Sequence, residues 1–354
     1  MKIGSCGVDS PFVLAPMAGY TTLPFRRLCR KFGSGLSYTE LVSVVGISRR
    51  DVRTLRYLAS DPGERPVAAH LYGRDVDAFA DAAAWITSLQ RFDLIDINAG
   101  CPVSKIISRG EGAGLLLDPE RLYAIVRAVR SATSLPVTVK TRIGPSPDRL
   151  VLFEMAHALA EAGAAALAVH ARFTCDRHSG PAHWEVLARL KAEGPALPLI
   201  GNGGARTAGL AVQMLKETGV DAVMIGRGAM GRPWIFREAL ECLRGETPRA
   251  VGSEERIAIL EEHLAGEVER MRGEVRSLRA SRYSPDQAAA RMFRAHLVHY
   301  TMGLPGVVEM RRGLSQIDTP DDVRAAARSV LRQVPSVPPG PALAGGDDPF
   351  VIPG

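Results

Sequence analysis

Cysteine is scarce here and is not arranged as a staple. The five thiols (Cys6, Cys29, Cys101, Cys175 and Cys242) include no C-x-x-C pair. That argues against a disulfide framework or a zinc cluster, and no metal site is expected. No apolar stretch is long enough to cross a bilayer. The opening MKIGSCGVDSPF lacks the apolar run of a secretory signal, so a reduced, cytoplasmic setting is expected. No G-x-G-x-x-G turn follows the first strand-like run, which argues against an open doubly wound dinucleotide sheet. Neither sign of charge dominates: 44 Lys and Arg against 38 Asp and Glu leave +6. This suits a polyanionic partner without demanding one.

What the chain does contain is alternation. Eight short apolar runs recur, at 12–17, 36–40, 66–71, 94–98, 136–140, 166–170, 198–202 and 221–226. Between most of them lie stretches of helical period, at 75–89, 119–131, 151–162 and 210–218. Strands alternating with helices imply parallel pairing through right-handed crossovers. Eight such units predict an α/β fold, a closed (β/α)8 TIM barrel over residues 1–245. Strand signals then stop. Residues 253–300 and 319–332 read as helices, the second opened by Thr319-Pro320-Asp321-Asp322. A small all-α bundle is expected over 246–333. The Pro- and Gly-rich end, 334–354, is expected to be a disordered tail.

In such a barrel the C-terminal strand ends carry the chemistry. Polar and special residues gather there: Met17 and Ala18, Glu40, His70, Asn98 and Cys101, Lys140 and Arg142, His170 and Arg172, Asn202, and Gly226 with Arg227. In DINAGCPVSKI (96–106), Gly100 and Pro102 bracket one thiol. Cys101 reads either as a presented group or as a small buried residue in a tight turn. Asn202-Gly203-Gly204 and Gly226-Arg227-Gly228, after the seventh and eighth strands, fit a phosphate cradle. Lys140 could stabilise an organic cofactor that becomes anionic on reduction, or form a Schiff base.

The motifs APMAGYTTLPFR (15–26), YTELVS (38–43), INAGCPVSKI (97–106), GAGLLLDP (112–119), PVTVKTRIG (136–144), VHAR (169–172), NGG (202–204), MIGRGAMGRPWIF (224–236) and FRAHLVHYTMGLPG (293–306) occur in this order. Together they resemble the tRNA-dihydrouridine synthases, chiefly the bacterial B-type branch. The resemblance implies an FMN-bearing barrel followed by a helical RNA-binding domain, with NADPH (or NADH) reducing the flavin. It implies that the C5–C6 double bond of particular uridines in tRNA is reduced. Hydride comes from reduced FMN to C6, and Cys101 gives the proton to C5. Pro16, Met17 and Ala18 would border the flavin, with His70 at a flavin contact, Lys140 on the ring and His170 in its shell. Asn202, Gly203, Gly204, Gly226 and Arg227 would hold the phosphate end. Asn98, Arg142 and Arg172 would serve the substrate. A monomer is expected.

A thiol near its ordinary pKa of about 8.5 is protonated at neutral pH and can act as that acid. A nucleophilic role would want a partner base, for which His70, His170 and His178 are candidates. The chain departs from the family at His70, usually Gln, and at Gly204, often Asp in this branch. HARFT (170–174) stands for HGRTR, and Arg294-Ala295-His296 for Arg-Lys-His. Arg270, Arg272, Arg276, Arg279, Arg282, Arg291 and Arg294 form a basic stripe expected to meet RNA phosphate. The rival readings keep the flavin but reduce a free pyrimidine, as dihydroorotate-type enzymes do, or use Lys140 on a phosphorylated sugar.

Overall fold

The structure, a computed structural model, describes residues 1–275 and 282–332. The expected tail at 334–354 and the stripe residues Arg276 and Arg279 lie outside the described residues. Eight parallel strands form the barrel: β1 (Phe12–Leu14), β2 (Ser37–Tyr38), β3 (Val67–Tyr72), β4 (Leu94–Ala99), β5 (Val137–Gly144), β6 (Ala166–Phe173), β7 (Leu199–Asn202) and β8 (Ala222–Ile225). They pair in the order β1-β8-β7-β6-β5-β4-β3-β2. Two backbone bonds close the ring, Leu14 N–H to Leu36 O (2.9 Å) and Gly35 N–H to Phe12 O (2.8 Å). β1 and β2 are shorter than their apolar runs. β1 stops before Pro16, which has no N–H for a ladder.

The outer helices are α1 (Leu23–Lys31), α2 (Val44–Ser48), α3 (Val76–Ser88), α4 (Pro119–Ala132), α5 (Leu152–Glu161), α6 (Trp184–Glu193), α7 (Ala208–Thr218) and α8 (Ile235–Leu243). Their starts follow from local chemistry. Asp75, Asp118 and Thr207 each accept a backbone N–H of the first turn of the helix they cap. After the barrel in the chain come α9 (Ser253–Val275), α10 (Pro285–Tyr300), α11 (Val307–Arg312) and α12 (Pro320–Leu331). Ser284 and Thr319 make capping boxes with Gln287 and Asp322. No described helix is long and apolar enough to cross a membrane.

Residue parity separates two cores. Val13, Ala68, Leu94, Ala166, Ala168, Ile200, Ala222 and Met224 pack together inside the barrel, joined by Ile3 and Val8 from the N-terminal hairpin. Their chain neighbours, such as Ile95, Val137, Leu167, Val169 and Val223, pack outward with the helices. This is the two-residue period of a strand. A third core, built on α9, α10 and α12, also takes in Trp234 from the loop after β8. That loop comes very close to α10. A Cβ on Gly231 (φ +65°) would stand 2.3 Å from the carbonyl carbon of His299, so only glycine fits.

The β1–α1 connection is held by a buried ion pair. Arg26 donates to Glu64 from Nε (2.6 Å) and Nη2 (3.0 Å), and to the carbonyls of Thr21 and Ala59 (2.7 and 2.6 Å). Both side chains are almost fully buried. Replacing Arg26 by Met strands the Glu64 carboxylate. Urea unfolding of Arg26→Met should therefore show a loss of about 3–5 kcal/mol; an unchanged midpoint would contradict this role for the pair.

Candidate active site at the barrel mouth

The inward parity continues upward from the apolar interior. It takes in His70 above Ala68, Asp96 and Asn98 above Leu94, Thr138 and Lys140 on β5, His170 above Ala168, and Asn202 above Ile200. Register sets these side by side: His70 pairs with Asp96, Asp96 with Thr138, Asn98 with Lys140, and His170 with Asn202.

A hydrogen-bonded chain results. The Thr138 hydroxyl donates to Asp96 Oδ1 (2.5 Å), and Asp96 Oδ2 meets His70 Nδ1 (2.5 Å). His70 Nε2 meets the Asn98 amide nitrogen (2.8 Å). Asn98 Oδ1 then accepts the backbone N–H groups of Gly100 (3.3 Å) and Cys101 (3.0 Å). An amide nitrogen can only donate, so Nε2 accepts and Nδ1 carries the proton toward the carboxylate. All four side chains are buried. The loop holding Cys101 is thus tied to a carboxylate in the barrel interior. His70, expected at a flavin contact, is fully buried with both ring nitrogens engaged, and it supports the thiol loop.

Cys101 itself is half-buried. Burial pushes its thiol up, and the Val103 amide with the charges of Arg142 and Lys140 only partly offsets this. The thiol is therefore a protonated group at neutral pH. GAGLLL packs behind it: a Cβ on Gly112 (φ +56°) would approach Cys101 Cβ to 3.0 Å.

Cations line one side of the mouth. Lys140 Nζ donates to Asn202 Oδ1 (3.3 Å), and the Asn202 amide donates to Met224 O (2.8 Å). Burial, then Arg142, lowers Lys140 to about 8. Burial and the same cations hold His170 well below the ordinary imidazole value, and bring His178 to about 4. Both rings are neutral and lie stacked, 6.0 Å apart. His170 Nε2 accepts from Arg172 Nη1 (3.1 Å). Arg142 is fully buried and donates to the carbonyls of Gly100 (2.9 Å), Phe173 (2.8 Å) and Arg177 (2.6 Å). Arg172 donates to the carbonyls of Ser179 and Gly180. Arg142 and Arg172 are the residues expected to serve the substrate. Their guanidinium groups brace loops against one another and act on the mouth through their charge.

The remaining candidates border the opening. Pro16 and Met17 are half-buried and Ala18 is exposed. Gly19 N–H donates to Glu40 Oε1 (2.6 Å), which ties the β1 loop to the end of β2. Gly203 and Gly204 both have positive φ (+110° and +88°), and a Cβ on Gly203 would reach 2.8 Å from His170 Cδ2. Trp184 Nε1 donates to Gly203 O (2.9 Å), and Arg227 Nη2 to His178 O (2.9 Å). A Cβ on Gly226 would contact Ala15 and Met17, so the turn after β8 lies beside the β1 loop.

Sequence reasoning passed over Asp96 and Thr138. The usable signal was a carboxylate inside the apolar run Leu94-Ile95-Asp96-Ile97, which must find partners if it is buried. Among the described residues, most of the expected basic stripe is ion-paired. Arg270 pairs with Glu267 and Glu274, Arg272 with Asp286, and Arg291 and Arg294 with Asp318. These four arginines answer acids of the same helical segment. Arg282 is exposed.

The dihydrouridine synthase (Dus) family model matches residues 13–334. The chain is 37% identical over 337 residues to a probable tRNA-dihydrouridine synthase of Mycobacterium tuberculosis (strain ATCC 25618 / H37Rv), spanning 91% of this chain and 82% of that protein. It is 35% identical over 336 residues to tRNA-dihydrouridine synthase B of Pseudomonas syringae pv. tomato, spanning 94% and 95%. Among solved structures, TcOYE with pHBA superposes with a TM-score of 0.54 at 12% identity, over 72% of this chain and 94% of that one. A morphinone reductase variant in complex with tetrahydroNAD gives 0.51 at 13%, over 69% and 90%. At such identities these two show the barrel fold alone. The family match runs through the barrel and the helices that follow it in the chain, and the chain belongs to the dihydrouridine synthases, flavin-dependent oxidoreductases that reduce uridine in tRNA.

Proposed function

We propose that the flavin is FMN, that NADPH is the reductant, and that Cys101 is the acid that protonates C5 of the uracil. The observation that carries this reading is the buried chain from Thr138 to the Cys101 amide. It seats a protonated, half-buried thiol within the influence of Lys140 and Arg142. The residues of the mouth fit FMN. Gly203 and Gly204 leave open backbone where a Cβ would crowd His170 and Trp184, and Lys140 with Asn202 supplies a cation and an amide. Pro16, Met17 and Ala18 would border the ring, and Asn202, Gly203, Gly204, Gly226 and Arg227 the phosphate.

When bound and reduced, FMN supplies the hydride that reaches C6. Cys101 completes the reduction: its S–H bond breaks as the C5–H bond forms, and the thiolate left behind regains a proton from solvent. The charges of Lys140 and Arg142 favour that thiolate for the moment it exists. Asn98 holds the Cys101 amide in place, and His70, fixed by Asp96, holds Asn98. We place the division of labour at 1–245 for the barrel and 246–333 for RNA binding, in a cytoplasmic monomer.

Cys101→Ala should keep its flavin and its NADPH oxidation, and lose uridine reduction on tRNA by about 10²–10⁴-fold, the usual worth of a placed acid. Wild-type turnover in that variant would refute the role of the thiol. Activity on free uracil or dihydroorotate in place of tRNA would favour the pyrimidine reading instead.

Lys140 sets a pH dependence. Its ammonium is present below about 8 in the protein without ligand and is lost as pH rises through that value. The ring beside it becomes anionic on reduction and then favours the charged form, so the preference for reduced over oxidised flavin should weaken as pH rises above about 8. The midpoint potential of the bound flavin should therefore fall more steeply above about 8 in the wild type than in Lys140→Met. Equal slopes in the two would place the ammonium away from the cofactor.

A further inference from the structure

The helical segment carries a second cluster of chemical groups, well away from Cys101 in the chain. His263 and Glu267 lie four residues apart on one face of α9, and α10 brings His296 against them. One donor atom from each side chain falls within 4.8 Å of the other two. The three residues are 0%, 3% and 3% exposed. His263 Nε2 stands 3.7 Å from Glu267 Oε1, beyond hydrogen-bond distance. Neither His263 Nε2 nor His296 Nδ1 has a hydrogen-bond partner. A buried polar atom without a partner is costly, and proteins leave few of them. Here two such nitrogens border one carboxylate.

The surroundings suit a cation. His263 Nδ1 lies 3.3 Å from the Tyr300 hydroxyl; with Nδ1 as the donor in that bond, Nε2 carries the lone pair. Burial disfavours a charged His296. Glu267 accepts the Thr22 hydroxyl at Oε1 and the Arg270 guanidinium at Oε2. Arg270 is the charge set against a cation here, and it sits on the other carboxylate oxygen, Oε2 (2.7 Å). Phe25 and Phe293 pack against the imidazoles.

We propose that His263, Glu267 and His296 bind one divalent transition cation of the zinc class, through two imidazole nitrogens and one carboxylate oxygen. Ligand bonds of about 2.0–2.2 Å set the edge of a tetrahedron at roughly 3.4 Å. The His263–Glu267 separation of 3.7 Å is already near that edge, and the wider separations close by small rotations of the rings. Water fills the fourth position. The site is structural. It joins α9 to α10 and, through the Thr22 hydroxyl on Glu267, joins both to the residue that opens α1 in the barrel. Tyr20, beside Thr22 in that loop, meets the edge of the His296 ring at 5.2 Å. A cation here would lock the helices onto the mouth they serve. The sequence hides it because its ligands are one His-x-x-x-Glu turn and a histidine 29 positions further on, not paired cysteines.

The test is metal uptake by the full chain carrying Cys101→Ala, so that the mouth thiol contributes nothing. The protein is stripped with chelator and dialysed against Zn2+. One zinc per chain is expected, with a rise in thermal midpoint. Co2+ in its place should give the strong visible bands of a tetrahedral site. His263→Gln, His296→Gln and Glu267→Gln should each lose affinity by at least about 10–100-fold, with circular dichroism showing that the helices persist. Should one variant unfold, the other two still decide the matter. No zinc uptake by the stripped chain, or uptake unchanged in the variants, would overturn the site.

Discussion

A carboxylate inside a barrel is the constraint from which the mouth is built. Asp96 lies on β4 with no exposure to solvent, where an ionised group without partners would be expelled or neutralised. Thr138 and His70 answer it, one from each neighbouring strand. The bond from Asp96 decides which nitrogen of His70 carries the proton. That choice makes the other nitrogen an acceptor for Asn98, and Asn98 in turn presents its oxygen to the Cys101 amide. Removing any link leaves a buried polar group unpaired, which is why the chain behaves as one unit.

Charge at the mouth follows the same logic in reverse. Lys140, Arg142, Arg172 and Arg227 bring positive charge to one rim, and burial keeps His170 and His178 neutral among them. The cations do not crowd together unsupported: Arg142 and Arg172 spend their donors on backbone carbonyls of the 173–180 loop and of Gly100. Lys140, a flexible point charge with one amide partner, is the cation most able to respond to an arriving anion.

Much of the fold was legible because it is periodic. Alternation of apolar runs with helical stretches announced the barrel, and Thr319 announced α12. Boundaries moved where the sequence could not show pairing: β5 runs to Gly144, beyond the apolar run, because β6 beside it continues to Phe173. The strand-end candidates were legible as a set, since register must bring them together. Their individual roles were not. The sequence does not show that Asp96 and Asn98 lie on both sides of the His70 ring. Nor does it show the three carbonyls around Arg142. The ion pairs of the basic stripe were not legible, because composition does not show which acid each arginine meets, and Asp318, some 24 residues beyond Arg294, lies close only in three dimensions. His263 and His296 are likewise joined only by the packing of α9 on α10.

The central claim is that the structure keeps Cys101 as a protonated acid rather than an activated nucleophile. The rate of alkylation of this one thiol as a function of pH, with Cys101→Ala subtracted as background, tests it most directly. Burial outweighs the nearby cations, so the rate should rise only at a pH above the ordinary thiol value of about 8.5. A midpoint well below that value would mean that the mouth stabilises a resting thiolate, and the proton for C5 would have to come from elsewhere.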